Sequence, residues 1–156
     1  MLIRSFVLAA ILTASSPVWA QPGRCETVGG MLMTNINAID GAINLGPVTG
    51  DLAGSVAAKI LPGQNADGSS NVQHYWVTSA GSTILFKPAA LKGTPIPAND
   101  PNATLVAVSW GNYVSEISGG TGKFEGATGQ LEYFGLADFK QLTLVLRYRG
   151  QVCFKQ

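Results

Sequence analysis

The side chains that could do chemistry in this chain are few, and most of the familiar arrangements fail on spacing. His74 is the only histidine. A Ser-His-Asp triad would have to use it, but no nucleophile-elbow sequence is present. A zinc site needs three or four His, Cys or carboxylate ligands brought together; no such grouping occurs, so no metal is expected. His74 reads instead as a single histidine on a strand beside Trp76. Residues 119–123 (GGTGK) have the outward look of a phosphate loop. That signature needs a Gly five residues before the Gly of Gly-Lys, and Ser or Thr after the Lys. Ile117 and Phe124 stand at those positions. A dinucleotide fingerprint would need a helix that does not follow, and no cofactor is expected. Glu116 and Glu125 would face each other if the chain folded back about Gly120-Thr121. Buried, such a pair would share a proton and act as acid and base. The same register places them with Lys123 and Glu132 on a face that reads as solvent, and glutamate is seldom fully buried, so the surface reading prevails.

Two groups survive this sorting. Cys25 and Cys153 are the only cysteines. They lack the close C-x-x-C spacing of a catalytic thiol pair and are expected to form a structural disulfide in an oxidising compartment. The second group is a set of hydroxyls. Strand alternation that turns Ile117, Phe124 and Leu131 inward also turns Tyr113, Ser115 and Tyr133 inward. Tyr148 joins them from the leucine face of the next strand. These four are the candidate ligand-binding residues. A buried tyrosine needs a partner for its hydroxyl, so each could instead reach a backbone carbonyl or the barrel rim.

The elements that must position these groups are strands. Gly, Ser, Thr and Asn recur at short intervals, and three-four helical spacing is hard to find. Strands are expected over residues 31–36, 52–61, 72–79, 82–87, 104–110, 112–118, 123–126, 129–134 and 141–149, with 152–154 as a closing piece. Ala80-Gly81 between two of them is a hairpin signal. Residues 62–71 and 88–103 read as loops, the second stiffened by four prolines. Across residues 117–134 (ISGGTGKFEGATGQLEYF) two turns are expected, about Gly120-Thr121 and Ala127-Thr128. They would pair Gly119 with Gly122, Ile117 with Phe124, Phe124 with Leu131 and Lys123 with Glu132. Gly119, Gly120, Gly122, Gly126 and Gly129 are assigned to turns and close backbone approach. On residues 141–149, Leu142, Leu144, Leu146 and Tyr148 form an apolar face opposite Gln141, Arg147 and Arg149. Strands at this spacing specify an all-β sandwich or barrel.

Residues 1–20 are set apart. Arg4 is their only charge, residues 6–14 (FVLAAILTA) are apolar, and Val18-Trp19-Ala20 offers a cleavage site. This pattern reads as a signal peptide, too short an apolar run to span a bilayer. A mature domain of residues 21–156 is expected, secreted or periplasmic, with no membrane anchorage. Without Arg4 the chain carries nine basic and nine acidic residues. No Lys/Arg cluster is available for nucleic acid. Asn102-Ala103-Thr104 matches a glycosylation sequon that carries little weight beside a leader of bacterial or eukaryotic type.

The segment Gly119, Gly120, Thr121, Gly122, Phe124, Glu125, Gly126 and Gly129 resembles the allene oxide cyclase barrel, and more loosely the dirigent proteins. Both have a glycine-rich stretch of the form G-G-[ST]-G-x-F-x-x-A-x-G before their last strands. Thr49-Gly50-Asp51-Leu52 looks like an early segment of the cyclase barrel. The resemblance covers about residues 108–150. It implies a calycin-like, eight-stranded antiparallel barrel, often a trimer, with an apolar cavity in which reactive apolar intermediates are steered without a cofactor. The matching motif is one of turns and packing, and it places no catalytic residue here. Two readings stay open: a barrel that holds a small apolar ligand without catalysing anything, or a cofactor-free isomerase or cyclase. Paired polar side chains inside the cavity would favour the second.

Overall fold

The computed structural model describes residues 24–97, 100 and 102–155. The expected leader and the mature start at Gln21 lie outside these residues. The strands are β1 (Cys25–Ile39), β2 (Ile43–Gly50), β3 (Gly54–Gln64), β4 (Ser70–Thr78), β5 (Thr83–Phe86), β6 (Ala89–Leu91), β7 (Thr94–Ile96), β8 (Leu105–Val108), β9 (Val114–Gly120), β10 (Thr128–Asp138) and β11 (Thr143–Cys153). Eight of them close a ring in the order β1-β2-β3-β4-β5-β9-β10-β11, with β11 returning to β1. Every neighbouring pair in the ring is antiparallel. This is the eight-stranded barrel expected. The extra strands lie on its rim: β6 pairs with β4, and β7 pairs with β8, which continues the β10 edge beyond β9. No helix among the described residues is long and apolar enough to cross a membrane.

Alternation decides what fills the ring. Val72, His74 and Trp76 of β4 are buried, while Tyr75 between them and Val77 just after them are exposed. Leu131, Tyr133 and Ala137 of β10, and Leu146, Tyr148 and Val152 of β11, are buried in the same manner. The expected hairpin at Ala80-Gly81 is present: Thr78 N–H donates to Ser82 O at 2.8 Å, and Gly81 takes φ 82°. Cys25 and Cys153 stand opposite each other in the β1–β11 register and are bonded, with Cα atoms 3.9 Å apart. That separation is inside the limit of about 7 Å for a bridge.

Several local expectations are corrected. Residues 43–50 form a full strand, although Gly46 and Pro47 are poor strand formers by type. Gly46 belongs there because β2 crosses β1 closely: a Cβ on it would come within 1.9 Å of Met33 O. Two short strands, β6 and β7, lie inside the proline-rich stretch read as loop. Leu142 leaves the leucine face for a turn at φ 54°, where it is exposed.

The largest correction concerns the glycine-rich segment. Residues 122–124 are one turn of 3₁₀ helix rather than part of a strand. The two expected hairpins are therefore one: β9 pairs directly with β10, with Ile117 opposite Gly129, Glu116 opposite Gln130 and Ser115 opposite Leu131. Glu116 and Glu125 do not meet, and Glu116 instead pairs with Lys87 on the outer surface, Nζ to Oε2 2.6 Å. The faces survive the change of register, since Ile117, Phe124 and Leu131 are all buried.

The turn depends on its glycines. Gly122 takes φ 58° and Gly126 φ 65°, where L side chains are strained. Gly120 faces a different constraint, because a Cβ there would come within 2.0 Å of Thr83 O on β5. The Gly120→Val variant is therefore expected to lose about 1–3 kcal/mol. Thermal unfolding is the measurement, and an unchanged melting temperature would remove the structural role assigned to this turn.

Candidate functional site

The barrel is filled at one end and hollow at the other. At the disulfide end Val28, Val152, Leu131, Ile117, Phe124, Phe86 and Trp76 are buried. At the opposite end a cavity of about 350 Å³ opens among Leu32, Ile36, Val56, Ala58, Val72, Val108, Ala137 and Leu146. The same strands build both halves. β1 gives Val28 to the filled half and Leu32, Thr34 and Ile36 to the cavity, while β11 divides between Tyr148 and Leu146. Leu91, Gly93 and Pro95 of the proline-rich stretch stand on the cavity wall. No Asp, Glu, Lys or Arg is among the lining residues, and the polar ones are Thr34, Asn44, Gln64, Ser70, His74 and Tyr113.

His74 and Tyr113 lie where hollow meets filled. His74 comes from β4, opposite Ala58 of β3. Tyr113 immediately precedes β9, and its carbonyl accepts from Tyr133 N–H at 3.1 Å. The histidine ring is held between two phenols. Its Nε2 lies 2.9 Å from the Tyr113 hydroxyl and its Nδ1 3.0 Å from the Tyr133 hydroxyl. Phe86 packs edge-on against the imidazole with ring centres 5.8 Å apart, and the two tyrosine rings lie 4.7 Å apart. Nothing solvates this group from the filled side, since Tyr133 is completely buried.

Burial fixes the charge state. It lowers the His74 imidazole to a pKa of about 3, so the ring is neutral across the physiological range. Burial likewise pushes the Tyr113 and Tyr133 phenols above their ordinary value, with Ser115 beside them partly opposing the shift. Ser115 Oγ is nevertheless buried without a hydrogen bond of acceptable geometry, as are Thr34 Oγ1 and Trp76 Nε1. The result is a chain of neutral hydrogen bonds under an uncharged cavity. Such a group can donate to or accept from an oxygen but offers no counter-charge to an ion.

The four candidate hydroxyls are all buried, but they do not share one space. Tyr113 alone lines the cavity. Tyr133 stands behind His74, and Ser115 lies beside the two phenols. Tyr148 is opposite Tyr133 in the sheet and does a different job. Its hydroxyl donates to Thr49 O and accepts from Leu52 N–H, both at 3.0 Å, which ties β11 to the β2–β3 turn. His74 is the candidate residue that sequence reasoning passed over. Its signal was the alternation in VQHYWV, which puts it on one face with Val72 and Trp76, both apolar and therefore inward.

No known protein family matches the sequence, and no curated protein matches it. Among solved structures the chain is similar to the pterocarpan synthase dirigent protein GePTS1, at 16% identity and a TM-score of 0.37, over 95% of this chain and 100% of that one. It is also similar to the pterocarpan synthase dirigent protein PsPTS1, at 14% identity and a TM-score of 0.34, over 87% of this chain and 99% of that one. Both are dirigent proteins and neither is an allene oxide cyclase. At this distance neither lends its activity to the chain, and the site stands on its own geometry.

Proposed function

We propose that the barrel holds a small, neutral, largely apolar molecule in the cavity above Tyr113 and His74. The observation that carries this is an uncharged hollow of about 350 Å³, apolar except for a few fixed polar groups. Small-molecule sites are typically built in this way. The Cys25–Cys153 bond and the leader-like first twenty residues support an exported location. The neutral fluorophore N-phenyl-1-naphthylamine should bind saturably. Ala58 lines the cavity and is buried, so Ala58→Phe should fill the hollow and weaken that binding about tenfold or more, a loss of about 1.4 kcal/mol. Absence of saturable binding, or binding that ignores Ala58→Phe, would remove the proposal.

The second reading, cofactor-free isomerisation or ring closure, is favoured by one observation: a phenol backed by imidazole stands at the cavity wall. A fixed donor there could stabilise an oxygen that gains charge during reaction.

A further inference from the structure

The hydrogen bonds around His74 can be counted, and the count assigns their direction. A neutral imidazole has one N–H and one bare nitrogen. It sits between two hydroxyls, so one phenol donates to it and the other accepts from it. Whichever phenol accepts is left with a hydrogen of its own to place.

Tyr133 has no well-placed acceptor for such a hydrogen. It is completely buried in the filled half, its hydroxyl bonds only to His74, and the neighbouring Ser115 Oγ is not in hydrogen-bonding geometry. An unpartnered buried donor carries its desolvation penalty with nothing to offset it. Tyr113 has an alternative, because it borders the cavity. The arrangement that leaves no hydrogen stranded in the core is therefore Tyr133 O–H donating to Nδ1, Nε2–H donating to the Tyr113 oxygen, and the Tyr113 hydrogen turned to the cavity.

The geometry points to Tyr113 as the anchoring donor of the site, directed by His74 and Tyr133 towards an acceptor oxygen on the bound molecule. The ligand class this selects is a neutral apolar compound with a carbonyl or ether oxygen. The inference rests on the cavity being a binding site, and it adds a polarity to that site. His74 and Tyr133 are positioning residues: neither offers its own hydrogen to the ligand, and together they set which way Tyr113 points.

Two measurements test it on the full chain. The first reads the tautomer without any ligand. The protein has a single histidine, so ¹⁵N spectra of the labelled protein contain one imidazole, and the two-bond couplings distinguish Nε2–H from Nδ1–H. Nε2–H is expected, and Nδ1–H overturns the inference. Tyr133→Phe should shift this imidazole spectrum, a change that a merely space-filling phenol would not produce. The second uses two probes of nearly equal shape, 2-acetylnaphthalene and 2-ethylnaphthalene. In Tyr113→Phe the ketone should lose about tenfold in affinity, while the hydrocarbon stays within about twofold of its wild-type value. The carbonyl stretch of the bound ketone should move to lower frequency in the wild type only. If both probes bind and Tyr113→Phe affects them equally, the donor role is wrong and the binding site stands. If neither probe binds, both readings fall together.

Discussion

Replacing Cys25 and Cys153 together by Ser should lower the unfolding free energy by about 2–5 kcal/mol, with a fall in melting temperature of the order of 10 °C. The bond joins residues 128 apart, close to the whole described chain. Loop-closure entropy for so long a loop gives about 5 kcal/mol as the upper figure. The bridge acts on the unfolded chain more than on the barrel, because its two residues are already opposite each other in the β1–β11 ladder. Urea unfolding of the double variant against the oxidised wild type measures the effect. A loss below about 1 kcal/mol would mean that the unfolded chain keeps its ends together without the bond.

Acid should destabilise the protein well before its carboxylates protonate, and His74 should be the cause. The imidazole titrates near 6.5 when the chain is unfolded and near 3 when folded. Between those values the unfolded state binds a proton that the folded state refuses. Stability therefore falls as pH drops through this window, by up to about 1.4 kcal/mol per pH unit and roughly 2–3 kcal/mol by pH 4.5. Asp67, whose carboxyl is held low by Ser69, loses its own contribution only below its ordinary value of 3.8. At the other extreme, Tyr113 and Tyr133 ionise above 10 when unfolded and resist doing so when buried. Stability should fall again there, leaving a plateau between about pH 6.5 and 10. His74→Gln keeps one donor and one acceptor for the two phenols and removes the titration. Its stability should change much less between pH 7 and 4.5. Equal acid slopes in variant and wild type would show that His74 is not the buried group responsible.

What was legible in the sequence follows from the range of the interactions involved. Side-chain alternation is local, so the inward placement of Tyr113, Ser115, Tyr133 and Tyr148 could be read from short segments. The outward placement of Arg147 and Arg149 could be read in the same way. The pairing of Cys25 with Cys153 needed only their being the two cysteines of the chain. The glycine-rich turn was harder, because Gly120 is required by Thr83 on another strand and not by its own neighbours. Without that contact, residues 119–129 fit two tight hairpins as well as one hairpin with a 3₁₀ turn. β2 was obscured by Gly46 and Pro47, and the reason for Gly46 lies across the sheet at Met33. His74 was visible as an inward residue, but its partners come from the start of β9 and from β10. Nothing near position 74 shows that two phenols will reach its two nitrogens.

The ring is completed by its first and last strands. Cys25–Ile39 must find Thr143–Cys153, and the outer strands of the sheet cannot settle until they do. A chain made from its N-terminus exposes β1 early, with Leu32 and Val28 uncovered, and waits for almost the entire polypeptide before the matching edge exists. Folds dominated by such distant pairings form in milliseconds to seconds rather than microseconds. Until that last edge is made the barrel keeps an open side, and the Cys25–Cys153 lock between its ends can be set only afterwards.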